Sequence, residues 1–191
     1  GQLAVTLTQK NVTDLHVSDR LTGIEYGLSP DDELAAYEFV TTNNSPDRIK
    51  IRGLEFEYNQ SMAFLGEKFK RLYVRGAYTR IYAELPRANL TPHIASGGLN
   101  YTLGRINAYV NWNWTDTYPT NVAGTTMRRH RANLDVGGSV RLSGRYSLAL
   151  SGRNVTDTPY INLQRIGVNP LVRTRNETVG TSWTLALRGQ Y

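Results

Sequence analysis

A strict two-residue alternation of apolar and polar side chains constrains this chain more than any other feature. In the clearest run, residues 106–115, the positions Ile106, Ala108, Val110, Trp112 and Trp114 alternate with Asn107, Tyr109, Asn111, Asn113 and Thr115. Successive side chains of a β-strand point to opposite faces, so this run predicts a strand with one apolar and one mostly polar face. The same period recurs near residues 3–8, 49–58, 70–83, 93–104, 132–142, 146–153 and 178–191. We therefore expect about eight strands.

The connections between these segments are short at one end and long at the other. Residues 103–105 and 143–145 form tight turns, and residues 61–70 make a slightly longer link on the same side. Residues 84–92 form a modest connection on the opposite side, and the long connections are residues 17–47, 118–131 and 156–177. Short periplasmic turns and long extracellular loops are typical of bacterial outer-membrane barrels. Residues 31–40 form either a short helix or a strand extension within the longest loop.

The composition of the polar faces favours a barrel lumen over the surface of a soluble protein. These faces carry mainly Asn, Ser, Thr, Gly and Ala, with few charges. Aromatic residues lie near both ends of the strands, where the headgroups of a bilayer would be. The sequence predicts an all-β fold, an antiparallel transmembrane β-barrel segment of about eight strands. Two alternatives remain open: a self-contained eight-stranded outer-membrane barrel with an adhesion or structural role, and a soluble β-sandwich binding module.

The composition narrows the possible chemistry. The chain has no cysteine, its three histidines lie far apart, and its formal net charge is +6 at pH 7. No nucleophile has a recognisable base and no ligands show metal-binding spacing, so we expect neither an enzyme nor a metal site nor a cofactor. The basic residues are mostly scattered rather than gathered in a tract, which argues against nucleic acid as a partner. Glu55 and Glu57 are expected to face the lumen and to pair with Arg75 or Lys50.

Two of the long connections carry the candidate ligand-binding residues. These are Arg128, Arg129 and Arg131 beside His130, and Arg165, Arg173 and Arg175 in the next loop. An electropositive mouth would attract an anionic small-molecule ligand, such as a ferric siderophore or a phosphate-bearing molecule. The alternative interpretation is contact with lipopolysaccharide phosphates, or solvation alone.

Three stretches resemble motifs of the TonB-dependent receptors. Residues 153–160, Arg-Asn-Val-Thr-Asp-Thr-Pro-Tyr, resemble the element through which the penultimate strand enters the last extracellular loop. Residues 183–191 resemble the final strand, which ends on an aromatic residue. Residues 42–44 followed by residues 51–56, Ile-Arg-Gly-Leu-Glu-Phe, are similar to an upstream strand of the family. The order and spacing of the three stretches agree with the family.

The resemblance implies a function for the parent protein. Residues 1–191 would be the C-terminal portion of a plugged barrel of about 22 strands, with the plug domain and the N-terminal strands absent. The parent would be a receptor in the outer membrane of a Gram-negative bacterium, surrounded by outer-membrane lipid and lipopolysaccharide. It would take up a scarce solute, with a ferric siderophore as the expected one. The TonB complex would act through the missing N-terminal part.

The last residue carries a further expectation. Tyr191 shares its strand face with Leu185 and Leu187, so its ring is predicted to point toward lipid at the periplasmic girdle. A terminal aromatic residue resembles the signal by which outer-membrane proteins are handed to the barrel insertion machinery. Tyr191 is therefore predicted to act as an assembly signal through the C-terminal strand.

Overall fold

The computed structural model describes residues 1–13, 15–45, 48–84, 87–167 and 170–189. It forms two compact units, one made of Gly1–Thr8 with Arg52–Tyr191 and the other of Gln9–Ile51. The described strands are β1 (Gln2–Val12), β2 (Leu15–Thr22), β3 (Glu38–Ser45), β4 (Ile49–Ser61), β5 (Leu72–Ala83), β6 (His93–Leu103), β7 (Ile106–Thr115), β8 (Tyr118–Pro119), β9 (Thr126–Arg128), β10 (Arg131–Arg141), β11 (Tyr146–Arg153), β12 (Tyr160–Arg165), β13 (Leu171–Glu177) and β14 (Ser182–Gly189). One α-helix, α1 (Gly23–Tyr26), and two 3-10 turns, Met62–Leu65 and Glu67–Phe69, complete the described elements. None of the helices in the described ranges is long and apolar enough to cross a membrane.

The eight predicted strands form the main sheet of the larger unit. Its order is β1-β4-β5-β6-β7-β10-β11-β14. From β5 to β14 in this order, each strand pairs antiparallel with the next. β1 and β14 stand at opposite ends of this order, so in the described residues the sheet is open. Among the residues that the structure describes, the first and last strands of this sheet do not pair, as they would in a closed eight-stranded barrel.

Antiparallel register gives the main sheet one continuous apolar face. Leu99 lies opposite Val110, and Val110 lies opposite Val136 on the next strand. At the far edge Leu150 lies opposite Leu185. Residues directly opposite each other in a ladder share a face, so the alternation seen in the sequence becomes an apolar surface across the sheet.

This apolar face is exposed. Leu7 is 80% exposed, Leu185 is 68% exposed and Leu187 is 66% exposed. No large side chain in the described residues is fully buried. A soluble β-sandwich would bury such a face against a second sheet. An antiparallel sheet with an apolar outer face and a polar inner face is instead a segment of a transmembrane barrel, where lipid covers the apolar side.

The polar face is lined by side chains that bond to one another. Arg75 donates from Nη2 to Oδ1 of Asn111 at 2.8 Å, and it passes over Gly98, where a Cβ atom would lie 2.7 Å from its Nε. Tyr109 lies against Gly137 in the same way, since a Cβ there would lie 2.5 Å from the ring. A groove of about 340 Å³ runs beside Tyr73, Arg75 and Tyr109.

The expected pairing of Glu55 and Glu57 with Arg75 or Lys50 was wrong. Glu57 lines the same part of the polar face as Arg75, which agrees with its predicted direction. The ion pairs found in the described ranges include neither Glu55 nor Glu57, and Arg75 bonds to an amide instead. Glycine at position 98 explains the difference, because the missing side chain lets the guanidinium cross β6 and reach β7.

The smaller unit contains a β-hairpin within the longest connection. β2 and β3 pair antiparallel from Leu15↔Ser45 to Thr22↔Glu38. The undecided stretch, residues 31–40, contains turns up to residue 37 and joins β3 at Glu38, so the strand extension was correct for its last three residues. The helix lies earlier, at Gly23–Tyr26.

A capping box starts α1. The Thr22 hydroxyl accepts from the Glu25 backbone N–H at 3.3 Å, and the Glu25 carboxylate accepts from the Thr22 backbone N–H at 2.8 Å. This backbone bond, followed by the bond from the Thr22 hydroxyl, lowers the pKa of Glu25 below its usual 4.5. The reciprocal bonds satisfy donors that the helix itself leaves free.

Candidate functional site

A second sheet is built from the long connections of the larger unit. Its order is β13-β12-β9-β8. β12 lies at its centre, with Asn162 opposite Arg175 of β13 on one side and opposite Arg128 of β9 on the other. A register shift between Asn162 and Leu163 interrupts the ladder. The sequence predicted loops here, and the structure shows that these loops pair with each other.

Two of the predicted arginines pack against the ring of Tyr160, the first residue of β12. The guanidinium carbon of Arg131 lies 4.3 Å from the centre of the Tyr160 ring, and that of Arg128 lies 5.0 Å from it. Arg131 donates from Nε to the Thr158 carbonyl at 3.1 Å, and Arg128 donates from Nε to Oδ1 of Asn162 at 3.3 Å. We call Arg128, Arg131, Tyr160 and Asn162 the Tyr160 cluster.

Among the described residues, no carboxylate pairs with the arginines of the Tyr160 cluster. The nearest acid in the ladder, Glu177, lies opposite Tyr160 and is paired with Arg175 at 2.8 Å. Neither Arg128 nor Arg131 forms an ion pair with any residue that the structure describes. Their bonding partners are amide, carbonyl and phenol groups, which orient the guanidiniums without neutralising them. Two oriented, half-buried guanidiniums beside an aromatic ring are suited to binding an anionic group.

The six candidate arginines therefore do not form one site. Arg128 and Arg131 belong to the Tyr160 cluster, and Arg175 lies on the same face through its register with Asn162. Arg173 lies opposite Leu163 beyond the register shift, and Arg165 lies opposite Leu171 at the far end of β12. Arg129 bonds to Ile161 through its backbone N–H and exposes its side chain. The remaining candidate, Tyr191, lies outside the described residues.

Asn154 holds the strand that leads to Tyr160. It is 7% exposed and adopts a left-handed φ of 49°, a conformation that asparagine tolerates better than most residues. Its backbone N–H donates to Oδ1 of Asp135 on β10 at 2.8 Å, and its Nδ2 donates to the Gly180 carbonyl before β14 at 3.1 Å. Its Oδ1 accepts from the Thr158 N–H at 3.1 Å.

Sequence reasoning missed these positioning residues. The motif at residues 153–160 carries a family resemblance, but its asparagine joins three segments that lie far apart in sequence. The partner Gly180 carries no local signal of this role. Asp135 interrupts the small neutral residues of the polar face of β10, which was the one hint available.

No group of three or more His, Asp or Glu side chains that could hold a metal ion occurs among the residues described.

Comparisons with known proteins agree on the type of fold. A family model described as TonB dependent receptor-like, beta-barrel matches residues 1–155. Among solved structures, the chain superimposes on the copper transporter OprC with a TM-score of 0.64 and 13% identity. The match covers 99% of this chain and 29% of the transporter chain, so this chain spans less than a third of that protein's length. At this identity the likeness shows the fold alone. A comparison with curated proteins found no match.

Proposed function

The chain belongs to the family of TonB-dependent receptor-like β-barrels, and from this premise we propose that residues 1–191 are the C-terminal portion of an outer-membrane transporter. The parent protein takes up a scarce solute and draws its energy from the TonB complex through the N-terminal part. The apolar face of the main sheet meets the lipid of the outer membrane, and the polar face lines the lumen. The last strand is the part recognised by the barrel insertion machinery.

We propose a ferric siderophore as the solute, and the Tyr160 cluster is the observation that carries this choice. Ferric siderophore complexes are often anionic and present oxygen-rich or aromatic chelating groups. Arg128 and Arg131 supply charge without a described acidic partner, and Tyr160 supplies an aromatic ring within 5.0 Å of both. Guanidiniums held by neutral acceptors bind anions without first breaking an ion pair. The cluster lies among the long connections, which face the outside of the cell in this family.

The test is uptake by cells that carry the full-length parent protein. Replacing both arginines, Arg128→Gln with Arg131→Gln, is expected to raise the apparent KM for a ferric siderophore. A hydrogen bond to a charged group contributes about 1.5–3 kcal/mol, so the loss of two should weaken binding at least about a hundredfold. Arg145→Gln is the matched control, because Arg145 lies in the short turn between β10 and β11.

The solutes offered should include ferric catecholates, ferric hydroxamates and copper ions, since a solved protein of the same fold is a copper transporter. Uptake of a ferric complex that needs TonB and weakens in the double variant supports the proposal. Uptake of copper ions without uptake of any ferric complex would identify copper, and not a ferric siderophore, as the solute. Uptake that persists unchanged in cells without TonB would contradict the transporter assignment itself.

A further inference from the structure

Two arginines of the main sheet flank one serine at the end of the sheet that carries the tight turns. Arg141 of β10 lies opposite Ser147 of β11, and Ser147 lies opposite Arg188 of β14. We call these three residues the arginine row. It lies on the polar face, because the chain neighbours Leu148 and Leu187 lie opposite each other on the apolar face. The two arginines are two strand spacings apart, about 10 Å, so both long side chains can reach one ligand above Ser147.

The arginine row lines a pocket of about 490 Å³. The tight turn between β10 and β11 adds a third arginine, Arg145, and Ser143, whose Oγ accepts from the Arg145 backbone N–H at 3.2 Å. Among the described residues, no side-chain hydrogen bond or ion pair engages these three guanidiniums. Like charges around one pocket repel each other, and an anion between them offsets that repulsion. The pocket is therefore suited to a ligand with several negatively charged oxygens.

A trough of small side chains leads away from the arginine row along the polar face. The next two rows of the ladder consist only of small residues: Ser139, Ala149 and Ala186, then Gly137, Ser151 and Thr184. All of these except Gly137 line a groove of about 240 Å³, and Arg188 lines both this groove and the pocket. Short side chains leave free space above the sheet, so the pocket is the end of a continuous path along the polar face.

We infer that the arginine row is a release-side binding site for the anionic solute of the transporter, separate from the Tyr160 cluster. The inference rests on the proposed function, because it gives the same transported anion a second site at the periplasmic end. β11 has eight residues, so its two ends lie about 24 Å apart, and the Tyr160 cluster belongs to the long connections at the other end. Positive charge at the end of the trough raises the local concentration of anions, and guanidiniums hold charged oxygens by pairs of N–H bonds.

The first test asks whether the pocket binds anions, and it does not depend on transport. The full-length parent protein in detergent is treated with phenylglyoxal, and the modification of each arginine is measured by peptide mass spectrometry. Inorganic pyrophosphate should protect Arg141 and Arg188, and sodium chloride at the same ionic strength should not. Arg141→Gln should raise the pyrophosphate concentration that half-protects Arg188 about tenfold, the effect of one lost bond to a charged group. The matched control Arg105→Gln, in the tight turn between β6 and β7 and outside the pocket lining, should shift it less than about twofold.

The second test asks whether the site serves transport. It uses cells that carry the full-length parent protein and the ferric complex that these cells take up with TonB. The double variant Arg141→Gln with Arg188→Gln should lower the maximal uptake rate at least about tenfold, because two bonds to charged groups are lost on the route of the solute. Its apparent KM should stay within about twofold, because capture belongs to the distant Tyr160 cluster. Arg141→Lys with Arg188→Lys keeps the charge and should retain most of the rate, which separates loss of charge from loss of structure.

Two results would overturn the inference itself. Absence of protection by pyrophosphate would show that the pocket is not an anion site. Protection combined with an unchanged maximal rate in the glutamine double variant would assign the pocket to a free periplasmic anion instead of the transported solute. Uptake that does not need TonB, or uptake of copper ions alone, would refute the proposed function and the release role with it, whereas the first test would still decide whether the pocket binds anions.

Discussion

Replacing Asn154 by alanine should release the start of the loop that carries Tyr160. The change removes the bond from Nδ2 to the Gly180 carbonyl and the bond from the Thr158 N–H to Oδ1. Both backbone partners are half-buried, so each lost bond should cost about 1–2 kcal/mol. Alanine at a φ of 49° adds about 1–2 kcal/mol of backbone strain. The free energy of local opening should therefore fall by about 3–6 kcal/mol.

Amide hydrogen exchange on the full-length parent protein measures this local opening. The N–H of Val155, which donates to the Leu134 carbonyl at 2.8 Å, is a suitable probe, as is the N–H of Thr158. Since 1.4 kcal/mol corresponds to a factor of ten, exchange at both sites should accelerate at least about a hundredfold. Asn154→Gly loses the same two bonds without the strain, so its effect should be roughly tenfold smaller than that of alanine.

The control is Asn113→Ala, which changes an asparagine on the polar face of β7 that lies opposite Asn133. Its exchange at Val155 and Thr158 should equal that of the unchanged protein. Unchanged exchange at these two amides in Asn154→Ala would refute the role of Asn154 as the tie between strands. Equal acceleration in the alanine and glycine variants would refute the backbone argument.

Three further predictions concern other parts of the chain. Gly137→Ala should lower the free energy of unfolding by about 1–3 kcal/mol in a thermal melt, because the added Cβ would lie 2.5 Å from the Tyr109 ring. Adding Tyr109→Ala to this variant should restore part of the lost stability. Because the pKa of Glu25 is lowered, its cap contributes fully above the unfolded value of 4.5 and is lost as the pH falls through the folded value. The protection of the α1 amides, measured relative to their intrinsic exchange rates at each pH, should therefore fall on acidification, and Glu25→Gln should flatten that dependence. Deleting Tyr191 should lower the amount of parent protein assembled in the membrane far more than it lowers the Tm of the assembled protein. Equal amounts of assembled protein with and without Tyr191 would mean that this residue is only an anchor at the periplasmic girdle.

The sequence predicts the main sheet well because a single physical rule governs it. A strand between lipid and lumen must alternate, and the run from Ile106 to Thr115 does so at every position except Tyr109. The predicted division of these side chains between two faces therefore agrees with the observed pairing of β7 and β10. The open edges at β1 and β14, in the residues described, agree with the predicted segment of a barrel.

The strands of the long connections were not predicted, for an equally physical reason. β9 has three residues and β12 has a register shift after Asn162, so neither shows a usable period. Nor does the sequence reveal which arginines meet. Arg128 and Tyr160 are distant in sequence, and only the pairing of β9 with β12 brings them together. The family motif located Tyr160 but not its neighbours.

The apolar face of the main sheet should meet lipid, and the polar face should not. β14 offers the most direct test, since Trp183, Leu185 and Leu187 alternate with Thr184, Ala186 and Arg188. Each of these six positions would be changed to cysteine in turn, in the full-length parent protein, spin-labelled and reconstituted in liposomes. We expect the labels at 183, 185 and 187 to be accessible to oxygen and inaccessible to a water-soluble nickel chelate, with the reverse at 184, 186 and 188. Six labels with equal access to the nickel chelate would contradict it.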